Sequence, residues 1–327
     1  MESSYKKVAV VGSSGFVGSH LVRELINRNV EQIVCIVRGS KSVEKLGYTL
    51  QKFGLDCSHS SIEIMEGDFD DFLFLKECFS GCDAVFNCAA KVSFDKNDKK
   101  SIISTNVLIT ECIVEAVKEC EVEHFIHLSS IASLASNGGQ LIDEESYPTT
   151  LEGKSDYSKS KFYSENVVWR ATTEGVNCTV LLPAVIIGDG DSRNGGSAKL
   201  TAIFSKRQLF YAEGVTGFVW VEDVARAMAD VCGDKRAFSE RYILCSDNLS
   251  FRELGEILSG QKSRIRLSKR MICAIQKIVK ICENLKISVK ISNSLLSNLI
   301  NRRYYSGEKI KRDLGFNYNT LKDIKRR

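Results

Sequence analysis

The chain has 327 residues, 43% of them hydrophobic, and a formal net charge of +4, enough to bury a sizeable core as one large or two closely joined domains. No apolar run reaches the roughly 18 residues that suggest a membrane span, and the first residues lead into an apolar strand without a secretory core, so a cytoplasmic protein is expected. Twelve cysteines are scattered through apolar segments, as at Cys35, Cys112, Cys178 and Cys245; Cys78 and Cys82 form C-x-x-x-C without a nearby histidine pair. That spacing argues against a zinc site, and most of these thiols read as small buried hydrophobes in a reducing compartment.

In chain order, Lys7 to Val11 reads as a short buried strand that runs into Gly12-Ser13-Ser14-Gly15-Phe16-Val17-Gly18, followed by a helical pattern from Ser19 to Asn27. Glycines allow a tight turn and close backbone approach to a pyrophosphate, and a helix N-terminus offers free N–H groups to phosphate. The spacing G-x-x-G-x-x-G also serves a plain strand-to-helix turn. A second strand, Gln32 to Val37, ends at Arg38, about 20 residues beyond the last glycine, where dinucleotide folds place the residue facing the adenosine ribose. Arginine suits a 2′-phosphate through charge-assisted contacts, so NADP is expected in preference to NAD, with a solvated arginine as the plainer alternative.

Ile62 to Met65 precedes Gly67-Asp68-Phe69, and Ala84 to Phe86 precedes Asn87-Cys88-Ala89-Ala90. Ligands of parallel sheets lie outside the carboxyl ends of the strands, which puts Asp68 within reach of an adenine edge and lets a cofactor pass close to Cys88, Ala89 and Ala90. Strands near Phe125 and Val180, helices over Ser101 to Cys120 and Asp156 to Thr173, and a returning strand at Tyr242 to Cys245 complete an alternation that specifies an α/β, doubly wound parallel sheet of the Rossmann type. Residues 1–187, with a returning segment at about 221–245, are expected to form the dinucleotide domain; 188–220 and 246–327 form a smaller, discontinuous substrate-binding region.

Within that helix, Tyr157-Ser158-Lys159-Ser160-Lys161 puts a phenol and an ammonium on one face. In a pocket, Lys161 is expected to lower the Tyr157 pKa by about 1 to 3 units from roughly 10, which fits proton exchange with a carbonyl or alcohol. A tyrosine–lysine pair at this spacing is otherwise a solvated face.

From Gln261 onward there are 18 Lys plus Arg against 4 Asp plus Glu, whereas the remainder carries 27 against 37. Met271, Ile272, Ile275, Ile278, Val279 and Cys282 recur at helical spacing among Lys269, Arg270, Lys277 and Lys280. A helix packed on a core with its lysines solvated is the first expectation, and peripheral contact with a membrane surface the second. No aromatic-basic motif points to nucleic acid.

Together these residues resemble the extended short-chain dehydrogenase/reductase superfamily, in its NAD-dependent epimerase/dehydratase group, and most closely the dihydroflavonol-4-reductase-like branch. The resemblance runs through the glycine turn, residues 87–92 (NCAAKV), Asn106, 127–132 (HLSSIA), Tyr157 to Lys161, 182–190 (LPAVIIGDG), 217–225 (GFVWVEDVA) and 311–316 (KRDLGF). It implies an NADP-dependent carbonyl/alcohol oxidoreductase with a Ser130, Tyr157, Lys161 catalytic set, and Leu128 and Ser129 beside the nicotinamide. Pro183, Ala184 and Ile186 flank that ring, Ser197 lies near a phosphate-touching position, and Asn106 has a structural role ahead of a proton relay. Asn87 stands where histidine is more usual, which alters a local hydrogen bond. Ile131-Ala132 after Ser130, in place of an Asp-Glu pair, disfavours dehydratase chemistry. Nucleotide-sugar epimerisation, with Arg193, Lys199 or Arg207 meeting a pyrophosphate, and a catalytically silent nucleotide-sensing or interaction protein are the alternatives. Substrate contacts are expected in the loops from Ile131 to Tyr147 and after Gly188. A homodimer through the helices Ser101 to Cys120 and Asp156 to Thr173 is implied as well.

Overall fold

Apolar runs bounded by glycine and charged residues become the strands of one large sheet. The computed structural model describes residues 5–90, 99–135, 141–190, 196–206, 209–284, 296 and 299–321. Its first half alternates β1 (Lys7–Val11), α1 (Phe16–Asn27), β2 (Gln32–Val37), α2 (Ser40–Lys52), β3 (Ile62–Glu66), α3 (Phe72–Phe79), β4 (Ala84–Asn87), α4 (Lys99–Glu119) and β5 (His124–Leu128). Then come β6 (Leu141–Ile142), α5 (Asp156–Thr173), β7 (Cys178–Pro183), β8 (Val185–Ile187), α6 (Gly196–Phe204), β9 (Phe210–Tyr211), β10 (Val215–Trp220), α7 (Val221–Val231) and β11 (Glu240–Leu244). The chain finishes with β12 (Asp247–Ser250), α8 (Phe251–Ser259), β13 (Ile265–Arg266), α9 (Lys269–Asn284), β14 (Tyr304–Tyr305) and α10 (Glu308–Leu314).

Seven strands form a parallel sheet in the order β11-β7-β5-β4-β1-β2-β3. Every residue of β4, β5 and β7 is buried, because helices cover both faces of such a sheet. The order reverses between β1 and β4, and this switch point is where a doubly wound sheet opens a crevice at its carboxyl edge. The expected fold is therefore the observed one. Helix α1 begins at Phe16, ahead of the expected Ser19, because the Gly15 N–H closes onto the Gly12 carbonyl at 2.9 Å and tightens the turn.

Helix starts follow local chemistry. The Asp71 carboxylate accepts the Phe74 N–H at 3.1 Å, the Ser155 hydroxyl accepts that of Ser158 at 3.1 Å, and Ser250 and Glu253 form a capping box on α8. No side chain caps α1 at Gly15, so the donors of its first turn face the switch point.

A three-stranded sheet, β12-β10-β8, and two ribbons, β13-β9 and β14-β6, stand beyond that edge. The three-stranded sheet has its own core of Ile187, Phe218, Trp220, Leu249, Phe251, Leu254 and Leu321. The chain crosses between the two sheets at Ala184, whose N–H donates to the Leu244 carbonyl at 2.9 Å, and again at Cys245 and Ser246, where the Ser246 N–H reaches the Phe218 carbonyl at 2.9 Å. Strand β10 passes directly into α7. There, buried Asp223 accepts the backbone and side-chain N–H groups of Asn319 at 2.7 and 2.6 Å and so anchors the C-terminal segment.

The helix expected in the basic region runs over Lys269–Asn284, but its apolar stripe is only half buried. Ile272 and Val279 enter a small core with Ala212 and Leu296, whereas Met271 and Ile278 face solvent. Among the described residues no helix is long and apolar enough to cross a membrane, and no cluster of His, Cys, Asp and Glu is arranged for a metal.

Candidate active site

Gly12 adopts φ +80°, a left-handed conformation that glycine takes without strain. A Cβ there would lie 3.0 Å from the Ala89 backbone, and one at Gly18 would lie 2.3 Å from the Gly12 carbonyl oxygen. These two glycines let the turn close on itself and press against the end of β4. Ser14, Gly15 and Phe16 are left half-buried at the mouth of the turn, while Val17 and Gly18 are buried, so only their backbone is available to a ligand. The arrangement fits a dinucleotide pyrophosphate, with the uncapped first turn of α1 as donor.

At the neighbouring strand ends, the Arg38 guanidinium sits 5.0 Å over the Phe69 ring, and Gly67 donates to the Val37 carbonyl at 3.0 Å. Arg38 and Asp68 are exposed and Phe69 is buried, so the three residues expected at an adenosine group are brought together. Cys88, Ala89 and Ala90 are half-buried beside the glycine turn. The Asn87 side chain accepts the Ala89 N–H at 3.0 Å and donates to His127 Nδ1 at 3.2 Å. Burial pushes the Cys88 thiol up to about 12, against a smaller pull from Lys161.

Helix α5, started by Ser155, turns Tyr157 and Lys161 toward the end of β5. Ser130 caps a short 3-10 turn, Ile131–Ser133, its oxygen accepting the Ala132 N–H at 3.2 Å, and its hydroxyl stands beside the Tyr157 phenol. The Ser129 N–H reaches the Leu181 carbonyl at 2.8 Å. Asn106 donates to Ser160 Oγ at 3.1 Å and accepts from the Ser164 hydroxyl at 3.2 Å, while Ser160 bonds the Tyr157 carbonyl. Asn106 thus ties α4 to α5 one turn beyond Tyr157. Pro183 and Ala184 are buried at the sheet crossing, and Ile186, in β8, is half-buried opposite Val219.

One expectation needs correction. Lys161 does not lower the phenol: burial raises the Tyr157 pKa, against a smaller pull from the Ser130 hydroxyl. The reason is where the ammonium points. Lys161 Nζ donates to the Leu128 carbonyl at 2.8 Å in a buried position, and spacing along a helix fixes the face, not the direction of the group. Burial pulls Lys161 itself down to about 8 from 10.5, partly offset by Glu165 and Cys88. Between those values the unfolded chain holds a proton that the folded chain has released, so Lys161 makes stability rise with pH across this window. Lys161→Met is expected to flatten the rise; urea midpoints from below about 8 to above about 10 check it, and parallel curves for the two proteins would refute it.

Sequence reasoning missed a buried polar chain beneath the cluster. Glu165, one turn beyond Lys161, accepts the Ser129 hydroxyl and lies 3.6 Å from Arg241. Arg241 donates to the Glu144 carbonyl and stacks 3.7 Å from the Tyr147 ring, while the Glu144 carboxylate accepts the Ile243 N–H at 2.8 Å. The continued four-residue spacing from Tyr157 through Lys161 to Glu165 was the available signal, as was an arginine inside the apolar strand β11. Residues 136–140, Val92, Arg193 and Arg207, and the side chains of Ser197 and Lys199, lie outside the described residues.

A glycine turn at the switch point of a doubly wound sheet, beside a tyrosine–lysine helix, is the architecture of an NAD(P)-dependent oxidoreductase. The chain belongs to the NAD dependent epimerase/dehydratase family, whose model matches residues 8–243. It is similar to the sterol demethylase protein B of Methylococcus capsulatus, at 24% identity over 96% of this chain and 86% of that one. It is also similar to a putative dihydroflavonol 4-reductase of a Synechocystis species, at 28% identity over 74% and 68%. A dTDP-glucose 4,6-dehydratase double mutant from Streptomyces venezuelae, solved with NAD bound, shares the fold with a TM-score of 0.73 and 20% identity, over 98% of this chain and 95% of that one. The protein is accordingly an NAD(P)-dependent enzyme acting on a CH–OH or carbonyl group.

Proposed function

We propose that the protein is an NADP-dependent reductase of a small-molecule carbonyl, working reversibly on the corresponding alcohol in the cytoplasm, with Ser130, Tyr157 and Lys161 as its catalytic set. The observation that carries the proposal is the placement of Tyr157 and the buried Lys161 one turn apart on α5, with the Lys161 ammonium on the Leu128 carbonyl at the end of β5 and Ser130 two residues beyond it.

The glycine turn would hold the pyrophosphate, Arg38, Asp68 and Phe69 the adenosine end, and Cys88 to Ala90, Leu128, Ser129, Pro183, Ala184 and Ile186 the path to the nicotinamide. When bound, that cofactor supplies the hydride. The protein's own task is to position the carbonyl and deliver a proton. A phenol whose pKa is raised by burial is neutral at physiological pH and therefore in the form that donates, which suits the reductive direction. Ser130 orients the phenol and offers its hydroxyl to the same carbonyl oxygen. Lys161, its ammonium held on the Leu128 carbonyl, would meet the ribose hydroxyls of the nicotinamide rather than set the acidity of the phenol.

Incubation with NADPH and a panel of ketones tests the proposal. Stoichiometric loss of NADPH with alcohol formation is expected; interconversion of a sugar nucleotide with no net cofactor change would instead make the protein an epimerase. For cofactor choice, Arg38→Glu is expected to weaken NADPH binding by roughly ten- to a hundredfold, the size of a lost charge-assisted contact, with little change for NADH. Equal losses for both cofactors would remove the 2′-phosphate from the account.

A further inference from the structure

The outer face of α9 and the ribbon before it take no part in the chemistry above. From Gln261 to Lys280 the sequence holds seven Lys or Arg and no Asp or Glu. Ile272 and Val279 turn inward, and the opposite side of α9 presents Arg270, Met271, Ala274, Lys277 and Ile278 to solvent. Met271 and Ile278 are 47% and 59% exposed. They stand two turns apart, as do Arg270 and Lys277, so an apolar stripe runs beside a cationic one.

The ribbon continues the pattern. Ile265 pairs with Phe210, the two are 45% and 52% exposed, and Leu209 beside them is 51% exposed. Leu267 and Ser268 carry the chain straight into α9, the Ser268 hydroxyl accepting the Met271 N–H at 3.3 Å. Six of the thirteen large hydrophobic side chains exposed among the described residues fall between Ile203 and Ile278. Arg266 is paired with Glu213 at 3.1 Å; Lys262, Arg264, Lys269, Arg270 and Lys277 have no acidic partner among the described residues.

We propose that this face seats the protein on an anionic lipid bilayer, with the cations at headgroup phosphates and Phe210, Ile265, Met271 and Ile278 at the acyl boundary. Charge complementarity selects this occupant. Residues 1–260 carry 27 basic against 37 acidic groups, so a negative surface repels that part and turns the basic end toward the membrane. Exposed aliphatic side chains gain nothing from a nucleic-acid backbone, whose binders use aromatic stacking platforms. A bilayer accommodates both stripes without a matched protein shape. The proposal goes beyond the redox assignment and does not depend on it.

Sedimentation of the full chain with phosphatidylcholine vesicles, with and without phosphatidylserine, is the test. Association with the anionic vesicles alone, weakened by salt, is expected. Replacing both Arg270→Gln and Lys277→Gln should lower partitioning by roughly thirtyfold, and replacing both Met271→Ser and Ile278→Ser by about tenfold or more. Thermal unfolding that matches the parent keeps loss of binding distinct from loss of folding. Failure to bind anionic vesicles at low salt, equal binding to neutral ones, or tighter binding to duplex DNA with no effect of the aliphatic pair would overturn the proposal.

Discussion

Tyr157→Phe is expected to lower kcat by about 10²- to 10⁴-fold, the usual contribution of a positioned general acid, while cofactor affinity stays nearly intact. The ring keeps its half-buried place and only the hydroxyl beside Ser130 is removed. On the proposed reading, cofactor binding rests on the glycine turn and strand ends, which this substitution does not touch. Single-turnover rates with NADPH, together with a fluorescence titration of the cofactor, separate the two quantities. Because reduction needs the neutral phenol and burial raises its pKa, the parent rate should not fall from phenol ionisation until well into the alkaline range. Full retained activity in the variant would end the assignment of Tyr157 as proton donor.

The second large effect is on stability. Glu165→Ala removes the carboxylate from between Ser129 and Arg241, all three of which are buried. Leaving a buried guanidinium without its counter-charge costs about 3–5 kcal/mol. Arg241 keeps the Glu144 carbonyl and the Tyr147 ring, which places the expected loss toward the lower end. Glu165→Gln retains volume and an acceptor for the serine and should cost less. Urea unfolding of the three proteins measures this, and an alanine variant as stable as the parent would mean that the network contributes nothing net.

The large sheet was legible because parallel strands covered on both faces appear as unbroken apolar runs alternating with helical patterns. The glycine turn and the Tyr157–Lys161 pair were legible because each is local, its geometry set by a few consecutive residues. What could not be read was direction and long-range contact. That the Lys161 ammonium reaches the Leu128 carbonyl depends on how α5 lies on β5, and that Glu165 meets Arg241 depends on β11 returning beside β7 after a long excursion. For the same reason the apolar pattern of α9 did not disclose which half of its stripe would find a partner. Periodicity reports that a face exists; burial requires something to lie against it.

The short crossings at Ala184 and at Cys245–Ser246, with β10 running without a break into α7, have a mechanical consequence. At these described crossings the two sheets are sewn together by brief stitches, with none of the slack on which the halves of a long-linker clamshell swing.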